Sequence, residues 1–372
     1  MKICYYTMGH PLAKTRFGGA EMQLHLIGKE LQAYGWEPHY IIDAKDGKGG
    51  ETIDGQHLHY VHTFKQSAYW LARNAPYLAL NMLGTNSNPF FSKIFAKIEA
   101  DIYHQRGSSI ATGYFASEAK KRKKPFVFTV AHVEDCTLSG NLWDTFAKRA
   151  IKKRLYLYGI KNADAVIATA DYLKDAFENN FPGKDVRVIR SGHPVPAKLK
   201  KAGAGPVLWI GRAESYKNCE AFAALAKKFP KYKFVAIGNV QVAEKPANLT
   251  LTGFLPIDKV NEWLEKAAVL VDTSDSAGFP NTFIQAWLRA TPTLSLHVDP
   301  DGLHKKYDIG ICVKGSVENL YESLRIILDD EGLRKKLGDN AYEYASVSHD
   351  IRTTGREHDK LYLEFIEKAS PK

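Results

Sequence analysis

The segment Val269–Leu296 constrains the fold of this chain more than any other stretch of its sequence. It begins with the short apolar run Val269–Val271, whose β-branched ends suit a buried parallel strand. The polar run Asp272–Gly278 then predicts a loop, and Pro280 fits the first turn of a helix, where its missing N–H costs no hydrogen bond. The apolar residues that follow repeat at helical spacing: Phe283, Ile284, Trp287 and Leu288. Because Pro292 ends that repeat, the segment predicts a strand, a loop and a helix in succession.

A strand, loop and helix in this order place backbone N–H groups at the carboxyl end of the strand. Those groups and the positive end of the helix suit an anion such as phosphate. An ordinary structural turn has the same pattern, and α/β proteins contain many such turns. The segment by itself therefore leaves phosphate binding and a purely structural turn both open.

Two series of alternating strands and helices indicate an α/β protein with two domains. The first series opens with the predicted strand Lys2–Met8, followed by Gly18-Gly19 ahead of a helix. The second series opens with the predicted strand Val207–Ile210. Between the two, the segment Ser191–Pro206 is rich in Pro, Gly, Ala and Lys, which indicates a linker between domains.

Cationic and imidazole side chains follow predicted strands in both domains. Arg212 comes directly after the strand Val207–Ile210, and Lys217 lies just before the next helix. A guanidinium and an ammonium group in that loop are placed to bind a diphosphate, and a surface salt bridge is the alternative. His132 follows the predicted strand Pro125–Ala131, where a ligand contact competes with the more ordinary buried, hydrogen-bonded histidine.

The charge balance predicts a polyanionic neighbour. The chain carries 51 Lys and Arg against 41 Asp and Glu, a formal net charge of +10. The basic runs Lys120–Lys124 and Lys148–Arg154 hold much of the excess. Such runs are most often solvated faces, but the aromatic residues near them favour a helix lying on anionic lipid. Nucleic acid is the weaker interpretation, because no nucleic-acid-binding motif accompanies the charge.

Other features of the composition narrow the class of protein. The sequence has no run of 18 apolar residues and enters a strand pattern at once, so we expect neither a membrane span nor a signal peptide. Its 4 cysteines are scattered without a CxxC pair, which favours reduced thiols in a cytoplasmic protein. The aromatic segment Phe64–Lys97 predicts either two buried helices or an apolar groove for a lipid.

Several short motifs, in order along the chain, together resemble the retaining glycosyltransferases of family 4. These are Gly18–Glu21, Gly211-Arg212 with Lys217, Gly253–Pro256, Thr273-Ser274, and Gly278–Trp287 followed by Pro292. The segments Arg190–Pro194 and Asp299–Gly302 further resemble a bacterial and archaeal subgroup of that family. The resemblance covers essentially the whole chain and implies the GT-B fold, in which two Rossmann-like domains face each other across a cleft. It implies an acceptor domain at residues 1–195, joined by a last helix at 352–372, and a nucleotide-sugar donor domain at residues 196–351.

The resemblance also implies roles for individual residues. Arg212 and Lys217 would hold the donor diphosphate and stabilise the leaving nucleotide, and His132 would reach the sugar. The implied nucleotide-sugar contacts are Gly18, Gly19, Gly211, Gly278, Phe279, Pro280, Asn281, Thr282 and Gln285. Charge develops on the leaving phosphate, so fixed cations and helix N–H groups would lower the barrier without a metal ion. We therefore expect a UDP- or GDP-linked donor, no metal and no other cofactor.

Two positions depart from the family's pattern. The family usually carries glutamates eight residues apart where this chain has Ala277 and Gln285. The Gln285 amide can still bond ribose hydroxyls, whereas a methyl group at 277 cannot accept a hydrogen bond. The prediction is a retaining transferase that moves a sugar to a lipid-linked glycan or other surface-glycan acceptor, in the cytoplasm and at the inner face of the membrane. The alternative is a non-catalytic GT-B subunit that binds an acceptor or a partner enzyme.

Overall fold

The computed structural model describes residues 1–13, 17–43, 50–61, 80, 86, 88–137, 146–197, 205–276 and 278–370. The chain divides into two compact units, Met1–Gly192 together with Ile351–Lys372, and His193–Asp350. It passes from one unit to the other inside the predicted linker Ser191–Pro206, of which residues 198–204 lie outside the described part. Each unit has its own sheet and its own apolar core.

The first unit is built on an eight-stranded sheet. Its strands are β1 (Lys2–Thr7), β2 (Glu37–Asp43), β3 (Gly50–Ile53), β4 (Gln56–Val61), β5 (Ile102–Arg106), β6 (Phe126–Val130), β7 (Ala165–Ala168) and β8 (Val186–Val188). They lie in the order β3-β4-β2-β1-β5-β6-β7-β8. Neighbours are parallel except β3 and β4, which form an antiparallel hairpin at one edge. The strand order therefore reverses at β1, as in doubly wound α/β folds.

Helices connect these strands. They are α1 (Gly19–Leu31), α2 (Pro89–Ile98), α3 (Ile110–Arg122), α4 (Phe146–Lys161) and α5 (Asp171–Asn180). In α1 the apolar residues Leu24, Ile27 and Leu31 recur at helical spacing and are buried in the core of the unit. Gly35, with a φ of 81°, ends the short turn after α1 because glycine adopts this left-handed backbone without strain.

The second unit is built on a six-stranded parallel sheet. Its strands are β9 (Val207–Ile210), β10 (Phe234–Ile237), β11 (Leu249–Leu251), β12 (Val269–Asp272), β13 (Thr293–Ser295) and β14 (Gly310–Cys312). Its helices are α6 (Cys219–Lys228), α7 (Ile257–Lys266), α8 (Asn281–Trp287), α9 (Leu303–Tyr307), α10 (Val317–Asp329) and α11 (Glu331–Ser348). The strand order is β11-β10-β9-β12-β13-β14, so the order reverses between β9 and β12. The predicted strand, loop and helix of Val269–Leu296 are present as β12 and α8.

The last helix, α12 (Ile351–Ala369), belongs to the first unit. Its buried residues Leu361, Tyr362 and Phe365 complete the core of that unit. The Tyr362 hydroxyl lies 2.6 Å from Nδ1 of the buried His104 of β5, and the Trp36 indole donates a 2.7 Å hydrogen bond to Asp359. No helix among the described residues is long and apolar enough to cross a membrane.

Candidate functional site

The loops that follow β9 and β12 meet at the point where the strand order of the second unit reverses. Val207 of β9 pairs directly with Val269 of β12. In open α/β sheets, ligands bind beyond the carboxyl ends of the strands at this point. The loop after β9 carries Arg212 and Lys217, and the loop after β12 carries Ser274. This edge of the sheet is the candidate site.

Lys217 is fixed to the loop after β12. Its Nζ donates a 3.2 Å hydrogen bond to Ser274 Oγ and lies 5.3 Å from the centre of the Tyr216 ring. Ser274 is held in turn by Asp272, whose carboxylate accepts bonds from the Ser274 hydroxyl at 3.0 Å and the Ser274 N–H at 3.1 Å. An ammonium group has three donors, so Lys217 can bind ligand oxygens without releasing Ser274.

A buried hydroxyl joins the two loops beneath Lys217. Thr273 Oγ1 accepts a 3.0 Å hydrogen bond from the Trp209 indole and lies 3.0 Å from the Lys217 carbonyl and 2.7 Å from the Asn218 carbonyl. Asn218, in the left-handed conformation, also accepts the Ala221 N–H with its side chain and so begins α6. These bonds fix the backbone of Lys217 independently of its side chain.

Arg212 is held differently from Lys217. Its Nε lies 3.1 Å from Glu214 Oε1, and its side chain is 64% exposed. This is the surface salt bridge that the sequence leaves open as the alternative. Exposed pairs of this kind contribute about 0–1 kcal/mol, so the guanidinium can leave Glu214 for a stronger anion at little cost. The structure places both cations in one loop, and of the two only Lys217 is hydrogen-bonded, among the described residues, to the loop after β12.

Two glycines allow close packing at the same edge. Gly211 ends β9 above the Trp209 ring, which a side chain at 211 would strike. Gly238, at the end of β10, has a φ of 138°, and a Cβ there would overlap the Gly211 carbonyl oxygen. Gly211 thus has a packing role in this loop. Its contact with a nucleotide-sugar stays a prediction.

The predicted nucleotide-sugar contacts Gly278–Thr282 lead into α8. Pro280 has a φ of −67° and a ψ of 121°, and its carbonyl accepts the Phe283 N–H at 3.1 Å. It is therefore the residue that caps α8 and not part of its first turn, which corrects the sequence prediction by one position. The N–H groups of Asn281 and Thr282 then occupy the first positions of the helix, where no earlier carbonyl is available to them.

The side chains of Phe279 and Gln285 differ in whether they have a polar atom available to a ligand. Phe279 is buried, with its ring 4.8 Å from that of His349, so its side chain packs within the second unit. Gln285 is buried, and its Nε2 has no hydrogen-bond partner among the described residues. A buried amide without a partner is costly unless a ligand or water completes it. Ala277, the main departure from the family's pattern, lies outside the described residues.

A buried polar cluster surrounds this face of α8. His193 lies beside Asn281 and within electrostatic range of Arg289. Burial and the positive charge of Arg289 lower the pKa of His193 to about 3, so its imidazole is neutral at physiological pH. The cluster therefore combines the neutral His193 ring with the buried Arg289 guanidinium, close to α8, which carries Gln285.

In the first unit the predicted glycines lie beyond β1, where that sheet reverses its strand order. The Gly18 N–H donates to Glu21 at 2.9 Å, and the exposed Gly19 is the first residue of α1. Arg106 ends β5 at the neighbouring position and donates a 2.9 Å hydrogen bond to Ser191. Burial lowers the pKa of Arg106 to about 10, and it stays charged at neutral pH. Arg106 is thus a partly buried cation at this edge.

His132 follows β6, as the sequence predicts, and is partly exposed. Its Nδ1 accepts a 3.2 Å hydrogen bond from the Glu134 N–H. The buried neighbour Asp135 accepts the N–H groups of Ser108 at 2.7 Å, Ala131 at 2.9 Å and His132 at 3.0 Å, and so fixes two loops of this edge. His132 is held at the carboxyl end of the sheet with its imidazole partly open to solvent.

Part of the positive charge of the basic run Lys120–Lys124 is paired with acidic residues of the first unit. It ends α3, where positive charge is favourable. Its pairs are Lys121 and Arg122 with the buried Glu118, and Lys124 with Asp101. Of the second run, Lys148–Arg154, the side chains of residues 148 and 149 are not described, and Lys153 is exposed.

The aromatic segment Phe64–Lys97 is only partly described, and residues 64–79, 81–85 and 87 lie outside the described part. Its last portion forms α2, in which Phe91 and Phe95 are buried against Phe115 of α3. For that portion, the buried-helix interpretation is correct. All four cysteines are free thiols, as expected.

Comparison with known proteins assigns a class to this pair of doubly wound units. Residues 17–195 match the model of Glycosyltransferase Family 4, and residues 196–344 match that of Glycosyl transferases group 1. The chain belongs to the GT-B glycosyltransferases. It is therefore a transferase enzyme, and the candidate edge of the second unit lies in the part that matches the group 1 model.

Individual relatives of this glycosyltransferase are distant. An uncharacterized glycosyltransferase of Methanocaldococcus jannaschii is 23% identical over 210 residues, 53% of this chain, and the chain spans 59% of the length of that relative. Sucrose-phosphate synthase from Thermosynechococcus elongatus has a TM-score of 0.78 at 16% identity, covering 99% of this chain and 100% of that one. HepE from Anabaena, in complex with UDP-glucose, has a TM-score of 0.72 at 14% identity over 98% and 100%. The likeness to these two structures shows the fold.

Residues outside the predicted set contribute to the candidate site of this glycosyltransferase. Asp272 and Ser274 orient Lys217, and Gly238 lets β10 approach β9. A signal for the first two exists in the sequence, because a run of carboxyl and hydroxyl side chains directly follows a central strand. Gly238 directly follows β10, but its closeness to Gly211 depends on which strands are neighbours.

Proposed function

We propose that this glycosyltransferase moves a sugar, with retention of anomeric configuration, from a nucleoside diphosphate sugar to a lipid-linked glycan or another surface-glycan acceptor. The donor binds the second unit and the acceptor binds the first. HepE, which shares the fold, is known in complex with UDP-glucose, so UDP-linked sugars are the first donors to test and GDP-linked sugars the second.

The position of Lys217 carries this proposal. Its ammonium group lies where the strand order of the second unit reverses, bonded to Ser274, and Thr273 fixes the Lys217 backbone. As the bond between the anomeric carbon and the diphosphate breaks, negative charge grows on the departing phosphate. A cation already fixed at that position stabilises this charge without reorganisation, which lowers the barrier. Arg212 supplies a second positive charge from the same loop, and the reaction then needs no metal ion.

Other predicted contacts complete the donor site in this proposal. The backbone of Phe279–Thr282 binds phosphate, and Gly211 lets the nucleotide approach β9. The Gln285 amide bonds the ribose hydroxyls, which would satisfy the unpartnered Nε2. Gly18, Gly19 and His132 of the first unit remain predicted contacts of the nucleotide-sugar.

The proposed acceptor sits at a membrane surface. The exposed lysines of Lys120–Lys124 and Lys148–Arg154 support contact with anionic lipid at the cytoplasmic face. Such contact would bring the first unit to a lipid-linked glycan. Nucleic acid has no part in this proposal.

Substitution of Lys217 tests the donor site. We expect Lys217→Ala to lower kcat with the best donor of a UDP- and GDP-sugar panel by roughly 100- to 1000-fold, the usual loss for one fixed charge-stabilising donor. Calorimetry should show weaker UDP binding as well. Lys227→Ala is the matched control, because Lys227 is an exposed lysine of the same unit that pairs with Glu244. Wild-type turnover and UDP binding by Lys217→Ala would refute the assignment.

A further inference from the structure

Four side chains from neighbouring strands form a histidine cluster at one edge of the first unit: Glu37, His39, His57 and His59. His39 of β2 stands directly beside His57 of β4 in the parallel register. Their rings stack with centroids 4.4 Å apart, and the His39 and His59 centroids are 5.3 Å apart. Glu37 is two residues before His39 on the same strand, so its side chain leaves the same face of the sheet.

Hydrogen bonds orient the two stacked rings in the same way. Nδ1 of His39 lies 3.0 Å from Nε2 of His59, and Nδ1 of His57 lies 3.0 Å from the Thr52 hydroxyl. In both rings the second nitrogen, Nε2, is the one left for another partner. His39 Nε2 is buried and has no hydrogen-bond partner among the described residues, and it lies 4.0 Å from Glu37 Oε2. In metal-binding histidines one ring nitrogen is held by such an outer partner and the other nitrogen binds the metal.

The spacing of the donor atoms suits a small ion. One donor atom from each of Glu37, His39 and His57 lies within 4.8 Å of the other two. Around a tetrahedral zinc ion with bonds of about 2.1 Å, donor atoms are roughly 3.4 Å apart. A movement of the exposed Glu37 carboxylate and a small ring rotation of the partly exposed His57 close this difference.

We propose that Glu37, His39 and His57 bind one divalent transition-metal ion, with zinc as the first candidate. Two imidazoles and a carboxylate are ligands that zinc accepts, and water takes the fourth position. The ion joins β2 to β4 and so fastens the hairpin edge of the first unit. This site is separate from the metal-free donor chemistry proposed for the second unit, and neither proposal depends on the other.

Zinc binding to the full-length chain tests the proposal. The protein carries no histidine tag, is washed with chelator, and is titrated with zinc against a chromophoric competitor. We expect one zinc ion per chain, bound at least about 100-fold more weakly by His57→Gln. Thr52→Val removes only the outer partner of His57, so it should weaken binding by about 10- to 100-fold. His297→Gln, which removes an exposed histidine of the second unit, should bind zinc as the wild type does.

The variants separate the metal site from folding and from donor binding. His57 is partly exposed, so His57→Gln should keep the circular dichroism spectrum and the UDP affinity of the wild type, whereas the buried His39 is a riskier position. Zinc should raise the Tm of the wild type and leave that of His57→Gln unchanged. Equal zinc affinity in the wild type and a folded His57→Gln would overturn the proposal.

Discussion

Lys217 and Arg212 both lie in the loop after β9. Of the two, only Lys217 is hydrogen-bonded, among the described residues, to the loop after β12. The difference comes from their neighbours. Thr273 holds the backbone after Lys217, and Ser274 holds its ammonium group, whereas Arg212 faces solvent beside Glu214. A charge that is already in position contributes more to transition-state stabilisation than one that must first be ordered. We therefore assign Lys217 the larger share of phosphate stabilisation.

At the same scale, Gly238 is expected to be intolerant of a side chain. Gly238→Ala places a Cβ against the Gly211 carbonyl and in a backbone conformation with a φ of 138°. Backbone strain of about 1–3 kcal/mol and overpacking of about 1–3 kcal/mol should together lower the free energy of unfolding of the second unit. Because the clash moves the loop that carries Lys217, UDP affinity should fall too. Urea denaturation and calorimetry measure both effects.

Gly253→Ala is the matched control for that substitution. Gly253 also has a positive φ, of 73°, but the nearest neighbour of a methyl group at this position would be Asn239 Oδ1 at 3.6 Å, an ordinary contact. It should lose only the roughly 1–2 kcal/mol of a left-handed alanine. If the two variants prove equally stable, the close approach of β10 to β9 is not what requires glycine at 238.

For individual site residues, the sequence could predict the positions that depend on the local pattern of strands and helices, but not the long-range contacts. The loop position of Lys217 follows from the strand before it and the helix after it. Its bond to Ser274 could not be predicted, because the two residues are 57 positions apart and meet only through the pairing of β9 with β12. The pairing of Arg212 with Glu214 is local. The sequence does not determine whether the Arg212 guanidinium binds Glu214 or a ligand.

Among the helices, α3 and α4 lie side by side and run in the same direction. Gly113 packs against Leu155, and further along both helices Lys120 Nζ lies 3.3 Å from Asn162 Oδ1. The run Lys120–Lys124 ends α3, whereas Lys148–Arg154 belongs to the first half of α4. The two runs therefore lie at opposite ends of the pair and form two separate patches.

Liposome flotation tests whether these patches bind lipid. We expect the chain to float with vesicles that contain anionic lipid and to stay behind with neutral ones. Lys120→Gln combined with Lys123→Gln should weaken binding by roughly 30-fold, at about 1 kcal/mol for each lysine. Lys305→Gln with Lys306→Gln, an exposed pair on α9 in the second unit, is the control. Equal flotation with neutral vesicles would remove the membrane from the proposed function.

The β3–β4 hairpin is an element that the sequence analysis misses, although a signal for it exists. Asp54-Gly55 joins the two strands with φ values of 51° and 72°, and Asp-Gly favours this type of hairpin turn. The histidine cluster was not predicted for the same reason. His39 and His57 become neighbours only through the register of β2 with β4, which strand patterns alone do not fix.

For the molecule as a whole, the alternation of strands and helices is enough to predict two doubly wound units, because each unit repeats a local pattern. Strand order requires the structure, since any parallel neighbour satisfies the same pattern. The Family 4 and group 1 matches then agree with the GT-B fold that the motifs imply. The roles of the site residues remain predictions for the experiments on Lys217.

Buried neutral histidines should make the first unit sensitive to mild acid. Burial lowers the pKa of His358 to about 4, whereas an unfolded chain has a histidine pKa near 6.5. Both states are neutral at pH 7, so His358 affects stability only as the pH falls below about 6.5, where the unfolded chain takes up the proton first. This favours unfolding by about 2 kcal/mol at pH 5. Calorimetry between pH 7 and pH 5 should show the decline.

His358→Gln should flatten that pH dependence, because glutamine does not titrate. The exposed His297→Gln should leave it as steep as in the wild type. An unchanged slope in His358→Gln would show that other groups cause the acid sensitivity.

The return of α12 to the first unit has a consequence for biosynthesis. Residues of α12, among them Tyr362 and Phe365, complete a core whose remaining members all precede residue 193. On the ribosome, the first unit must wait for the whole second unit to be translated before its last helix arrives. The second unit, which is continuous in sequence, has no such delay. The first unit therefore begins to be made before the second unit but is completed after it.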